Sequence, residues 1–320
     1  MLTHAISGKQ AWIAATLAPA DWIVPIPHDC QAELVRALAE IRAHPLPMLL
    51  LTPDEFRLDA CRLLMRRVRA LLDDGAMFAV VDRLPVEEMS LEESTSLYWL
   101  LSSLLARPVA QKLDGTMTYL VSDTGATLKP GSGIRPTVTN VELNFHNDNS
   151  YNETPPEIVA LLCHSQAKEG GQSRVVSVYS VHNRLLETAP GLLPRLYRPF
   201  WYDRHREFFE GEANTFAAPI FAHDARLTAR LALLEIRGGY QLRGEAMDGE
   251  TKAALDAVES VLAQPDLPVT LRFVPGQIQY VNNRSTGHSR TAFLDGELPG
   301  EKRLLVRLWL RNAGRRSYRG

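Results

Sequence analysis

The chain has 320 residues, 45% hydrophobic and 22% charged, with 35 Lys and Arg against 37 Asp and Glu for a formal net charge of −2. A chain of this length and make-up buries roughly three quarters of its unfolded surface, which excludes disorder as the main state. So balanced a charge gives no global field to attract nucleic acid or an anionic membrane, and neither is expected as a partner.

The N-terminus carries His4 and Lys9 where a secretory signal needs an unbroken apolar core. The longest apolar runs, 46–51 and 76–81, fall far short of the ~20 residues that cross a bilayer. A cytoplasmic protein is expected. In chain order, apolar residues then recur at three- and four-residue spacing in three segments of the first 110 residues, which predicts helices. The first covers about 31–43, with Leu34, Leu38 and Ile41 on one stripe, and stops before Pro45. Residues 58–72, carrying Cys61, Leu64, Val68 and Leu71, form the second, ended by the turn Asp73-Asp74-Gly75. The third opens with a capping box at Ser90 and Glu93 and runs to about 106. Between the last two, residues 76–81 lie between a glycine turn and Pro85 in the pattern of a buried strand. Three widely spaced cysteines, Cys30, Cys61 and Cys163, with no CxxC pair, argue against a disulfide framework or a zinc knuckle.

From 138 onward the pattern turns to strand-length segments at 158–164, 174–178, 270–274, 277–281 and 303–310, interrupted by helices at about 181–188 and 249–263. Residues 199–244 mix Trp201, Tyr202, Phe208, Phe209 and Phe216 with charges, and read as an irregular insertion or lid. The tail, with Arg311, Arg315, Arg316 and Arg319, reads as a solvated end. Helices first and strands after give an α+β class, a β sandwich or barrel decorated by helices.

Chemistry concentrates in two places. His146 and Asp148 follow the strand-like stretch 137–145, and residues two apart on an extended chain point to the same side. They can serve as adjacent ligands of one metal, and a second histidine from elsewhere would complete the two-histidine, one-carboxylate face of a non-haem Fe(II) site. Taken alone, an HxD is also compatible with a hydrogen-bonded turn. His205 and Glu207 have the same spacing but lie in the charged insertion, without a rigid strand behind them. Further on, His288 stands just past the strand 277–281, and in 303–310 Arg303, Leu305, Arg307 and Trp309 share one strand face. Two arginines on a buried strand need anions, either internal Asp or Glu or the carboxylates of small molecules.

The ordered set of HxD at 146 and 148, Gly-Gly-x-Ser at 170–173, Asn-Arg-x-x-x-His at 283–288 and Arg-x-x-x-Arg at 303 and 307 resembles the Fe(II)/2-oxoglutarate-dependent dioxygenases of the taurine dioxygenase (TauD/TfdA) type, also called clavaminate synthase-like. The motifs span about 75–312. The resemblance implies a double-stranded β-helix, or jelly roll, with helices packed outside. It implies one catalytic unit over 1–320: a mainly helical part to residue 110, a core over 111–312, and the insertion at 199–244. It further implies that His146, Asp148 and His288 bind iron, that Arg303 pairs with the distal carboxylate of 2-oxoglutarate, and that Ser173, where relatives usually carry Thr, supplies the hydroxyl beside it. Arg307 matches a position that in several relatives faces an anionic group of the substrate. Asn144 and Tyr151 flank the ligands where relatives place substrate contacts, and Asn283 and Arg284 match a pair that supports the second histidine. Val281 stands where several relatives carry an aromatic.

The implied reaction consumes 2-oxoglutarate and O2, releases succinate and CO2, and hydroxylates an unactivated C–H bond of a small anionic metabolite such as an amino acid. The same iron could also desaturate or cyclise, whereas the presence of Asp148 argues against halogenation. The rival reading is a jelly-roll module or hydrolase holding zinc at the same three residues. A dicarboxylate clamp at Arg303 and Ser173 would have no use there. Self-association into a homo-oligomer is left open.

Overall fold

In the computed structural model, which describes residues 1–127 and 136–320, two β-sheets face each other and carry the site between them. The larger, seven-stranded sheet runs in the order Ile23–Pro25, Phe78–Asp82, Ile278–Asn282, Ile158–Ser165, Leu304–Arg311 and Arg107–Val109, with Tyr119–Val121 pairing on Leu304–Arg311. The smaller sheet runs Val269–Leu271, Ser173–Ser177, Thr286–Arg290 and Leu143–His146, all antiparallel. This is the jelly-roll architecture expected, and its strand ends fall within a few residues of those read from the sequence. Alternation decides which residues meet. Along Leu304–Arg311, Val306, Leu308 and Leu310 face the helices, while Leu305 and Trp309 join Val175, Val281 and Phe78 between the sheets.

Three helices, His28–Ala43, Asp59–Asp74 and Leu91–Leu105, cover the outer face of the large sheet. The third is held at its start as the sequence predicted. Glu93 donates its backbone N–H to Ser90 Oγ at 3.1 Å, and Ser90 donates its own to the Glu93 carboxylate at 2.8 Å. Helices Val178–Thr188 and Gly249–Leu262 close the outer face of the small sheet. All three cysteines are buried and free.

Three expectations need correction. The stretch 137–145 is strand only from Leu143 to His146, after a short 3-10 turn at Pro136–Val138. The insertion is not irregular: it folds into two hairpins, Phe200–Asp203 with Thr215–Ala218 and Phe221–His223 with Leu227–Ala229, and a helix, Leu233–Arg243. Four-residue strands are too short to display a period, and Gly238 and Gly239 hide the helix by lowering its propensity. Gly239 is there for a reason of space, since a Cβ on it would sit 2.4 Å from the Trp201 carbonyl oxygen. Finally, the tail is solvated at Arg315, Arg316 and Arg319 as expected, but docked at Arg311 and Tyr318. Arg311 is buried and donates to the carbonyls of Thr154, Ser317 and Tyr318, and Tyr318 OH lies 2.7 Å from Asn149 Oδ1.

The capping box gives a direct test of the helical layer. Ser90→Ala should cost about 1 kcal/mol of stability, seen as a lower midpoint of chemical denaturation. An unchanged midpoint would show that this helix is set by packing alone.

Candidate active site

The small sheet supplies two histidines side by side. His146 ends one strand and His288 lies in the middle of its neighbour, and the two are paired in register, with ring centroids 4.3 Å apart. His288 lies past the end of Ile278–Asn282, as the sequence suggested, and within the next strand, Thr286–Arg290. The residues 283–285 make the tight turn before it. Asp148, two residues beyond His146, turns back so that its Oδ1 lies 3.3 Å from His146 Nε2 and 3.5 Å from His288 Nε2. One ligand atom from each of the three residues lies within 4.8 Å of the other two, and among the described residues this is the one cluster of its kind.

Each member is held by its surroundings. His146 Nδ1 sits 2.8 Å from the Asn144 carbonyl, which fixes that nitrogen as a donor and leaves Nε2 as the atom that faces Asp148. The loop carrying Asp148 is tied to the turn before His288: Asp148 donates its N–H to Asn283 Oδ1 at 2.8 Å, and Asn283 Nδ2 donates to the Asp148 and Pro156 carbonyls. Asn283 thus supports the site, as expected. The second carboxylate oxygen, Oδ2, accepts from Trp309 Nε1 at 2.6 Å and faces Arg307 Nη1 at 3.0 Å.

That ion pair divides the two arginines. The fold brings Asp148 to Arg307, and Gln111 Oε1 accepts from its Nε at 2.8 Å. Arg303, equally buried, has no such acid against its guanidinium, and its Nη1 has no hydrogen-bond partner among the described residues. Ser173 is buried opposite, its Oγ donating to Gln279 Oε1 at 3.3 Å, while Gln279 Nε2 is unpartnered. The Gly-Gly-x-Ser motif is explained here by contact. Gly171, at φ +68°, lies so close that a Cβ would meet Arg303 Cδ at 3.1 Å.

The charges follow the geometry. Burial by itself would raise the Asp148 carboxyl, yet the Arg307 guanidinium and the hydrogen bonds from both histidines hold it well below the usual carboxylate range. His146 is penalised by burial too, but Asp148 lifts it above its ordinary value. His288 lies below its own, through burial and the neighbouring His146. Burial, and then repulsion from Arg290, push Arg303 down to about 10. Buried donors without acceptors at one end and a deprotonated carboxylate between imidazoles at the other fit an anion and a divalent cation, respectively.

A cavity of about 590 Å³ opens beside the three residues. Asn144, Tyr151, Arg307 and His146 line it, as do Glu235 and His205 from the inserted segment. Arg303 and Ser173 are not on its wall. They lie deeper between the sheets. His205 is paired with Glu235, Nε2 to Oε1 at 2.9 Å, and stands 5.1 Å edge-on from the Tyr151 ring. Of the competing motif at 205 and 207, His205 contributes to the cavity wall, and the pair belongs to no metal cluster among the described residues. Glu235, Gln279 and Arg290 escaped the sequence reading, which placed Trp309 on the face of Arg303 and Arg307 but gave it no role. Arg290 could have been found from strand period, being two residues beyond His288, already singled out.

Comparison with known proteins adds three findings. The profile of the family described as taurine catabolism dioxygenase TauD, TfdA family, matches residues 47–309. FR-33289 synthase of Streptomyces rubellomurinus is 29% identical over 324 residues, which cover 99% of this chain and 94% of that protein. Among solved structures, asparagine oxygenase in complex with Fe(II), 2S,3S-3-hydroxyasparagine and succinate superposes with a TM-score of 0.66 at 20% identity, covering 91% of this chain and 94% of the other. The non-haem iron oxygenase OrfP in complex with Fe and alpha-ketoglutaric acid gives 0.63 at 13%, with 91% and 94% covered. At these identities the structures establish the shared fold.

The grip on Oδ2 can be tested apart from any reaction. Trp309→Phe keeps the ring and removes the donor, and should weaken Co(II) binding to the metal-free protein about 10-fold, read by titration. Affinity equal to the native protein's would mean that Arg307 alone holds the carboxylate.

Proposed function

The chain belongs to the TauD/TfdA family of Fe(II)/2-oxoglutarate-dependent oxygenases, and from that premise we propose that it hydroxylates an unactivated C–H bond of a small amino acid or amino-acid-like metabolite bearing an anionic group, with release of succinate and CO2. The observation that carries the reading is the pairing of two unlike sites between the sheets. His146, Asp148 and His288 form a face for a divalent metal, and further in Arg303 Nη1 and, beside Ser173, Gln279 Nε2 are donors without a partner among the described residues. A zinc module would have no need of the second.

In this reading residues 1–320 act as one catalytic unit. Fe(II) with 2-oxoglutarate supplies the capacity to activate O2 and oxidise a C–H bond. His146 Nε2, His288 Nε2 and Asp148 Oδ1 would hold the metal on one side and leave the other positions open. Asp148 is set to bind through one oxygen, since Arg307 and Trp309 occupy the other. Arg303 would receive the distal carboxylate of 2-oxoglutarate, neutralising a guanidinium that the fold otherwise leaves buried without an anion. The cavity then admits the substrate from the side of Tyr151 and His205.

Substrate class rests on the cavity's charges. Its wall carries both signs, with Arg307 and Arg174 against Asp203 and Glu235, which suits a molecule bearing both an acidic and an amino group. The hydroxyasparagine held by the solved relative is such a molecule. Arg307, and with it Asn144 and Tyr151, are the proposed substrate contacts. Because Arg307 also neutralises Asp148, its loss is expected to weaken metal as well as substrate.

Anaerobic addition of Fe(II) and then 2-oxoglutarate to the metal-free protein should produce the weak visible charge-transfer band of a chelated 2-oxo acid. Asp148→Ala should abolish it. Arg303→Ala should raise the 2-oxoglutarate concentration needed by about 30-fold or more, the effect of removing one partner of a buried charge pair. Retention of tight zinc with no band would overturn the proposal. Succinate release with a panel of amino acids then identifies the substrate.

A further inference from the structure

Arg290 is a second buried arginine that neither the metal face nor the cavity accounts for. It is 4% exposed, and of its guanidinium nitrogens only Nη2 is used, donating to the carbonyls of Thr139 and Val141. Its Nε and Nη1 have no hydrogen-bond partner among the described residues. Burial pushes it down to about 10, with the charge of Asp123 opposing. An unpartnered guanidinium at such depth is costly unless an anion comes to it.

The strand register says where it points. Arg290 lies two residues beyond His288 on Thr286–Arg290, so the two side chains share a face about 7 Å apart along the strand. It is directly opposite Ser173 on the neighbouring strand, and residues directly opposite share a face too. From the other sheet comes Arg303, close enough for the two charges to repel, and the Phe293 ring packs against both guanidiniums at 4.8 and 5.3 Å. Gln279, hydrogen-bonded to Ser173, adds an unpartnered Nε2. The nearest acid to Arg303 is Asp295, whose carboxylate is spent on the Arg303 backbone N–H at 2.8 Å.

We infer that Arg290 is a second cationic contact for the distal carboxylate of the 2-oxo acid co-substrate, acting beside Arg303 and Ser173 and setting the preference for a dicarboxylate. The inference rests on the 2-oxoglutarate reading above. With one carboxylate between them, two guanidiniums that repel each other become a clamp. A co-substrate ending in a methyl group leaves both buried and uncompensated, so the pair selects by penalising the wrong ligand as well as by holding the right one.

The experiment compares 2-oxoglutarate with 2-oxopentanoate, which lacks only the distal carboxylate, by calorimetric titration into the Mn(II)-loaded protein without O2. The native protein should prefer 2-oxoglutarate strongly. Arg290→Gln should cut that preference by about 10-fold or more while leaving the affinity for 2-oxopentanoate and for Mn(II) unchanged, and Arg290→Lys should fall between. If Arg290 serves only to anchor the 139–141 segment, both ligands weaken together and the ratio stays native, which overturns the inference. A native protein with no preference between the two acids would instead defeat the 2-oxoglutarate reading itself. Should the variants fail to fold, a crystal structure of the native protein with Mn(II) and 2-oxoglutarate decides the point. Arg290 Nε or Nη1 within about 3.2 Å of a distal carboxylate oxygen is expected, and a carboxylate held by Arg303 and Ser173 alone would refute it.

Discussion

The carboxylate of Asp148 is the constraint on which the site depends. It is 5% exposed, and a buried carboxylate persists only if each oxygen is matched. Oδ1 is turned to the two histidines, and Oδ2 is taken by the Trp309 indole and the Arg307 guanidinium. The residue thereby binds the two sheets together. Its loop leaves the small sheet after His146, while Arg307 and Trp309 come from Leu304–Arg311 in the centre of the large one. Any shift of one sheet against the other would strand a charge.

That anchoring divides the interior by charge. Near Asp148, cation and anion are balanced, and Gln111 and Tyr119 complete the shell around Arg307. Deeper in, Arg303 Nη1, Arg290 Nε and Nη1 and Gln279 Nε2 have no hydrogen-bond partner among the described residues. The fold tolerates an excess of buried positive charge at one spot, which is where an anionic ligand contributes most to stability as well as to recognition.

The inserted segment completes the cavity from outside the sheets. Its helix, Leu233–Arg243, lies directly on the Phe200–Asp203 strand because Gly239 permits contact with the Trp201 carbonyl. Glu235, near the helix start, reaches His205 on the hairpin, and His205 meets Tyr151 of the loop after Asp148. Substrate would thus be enclosed between a rigid sheet face and a separately supported wall. Variation in that wall could change the substrate without disturbing the metal ligands.

Much of this was legible in the residues. The 3.6-residue period located three helices, the capping box located the start of one, and alternation put Arg303, Arg307 and Trp309 on one face, because these signals are local and repeat along the chain. The ordered motifs gave His146, Asp148, His288 and Ser173 as a set. What the sequence left undetermined was pairing. It could not say that Asp148 would neutralise Arg307 and not Arg303, since Asp148 and Arg307 lie 159 positions apart along the chain and meet only when the sheets close. Nor could it show that the 199–244 segment is folded, because strands of three or four residues carry too few positions to display a period. Local spacing determines which faces exist, whereas the free energy of buried charge, decided by tertiary contact, determines what those faces need.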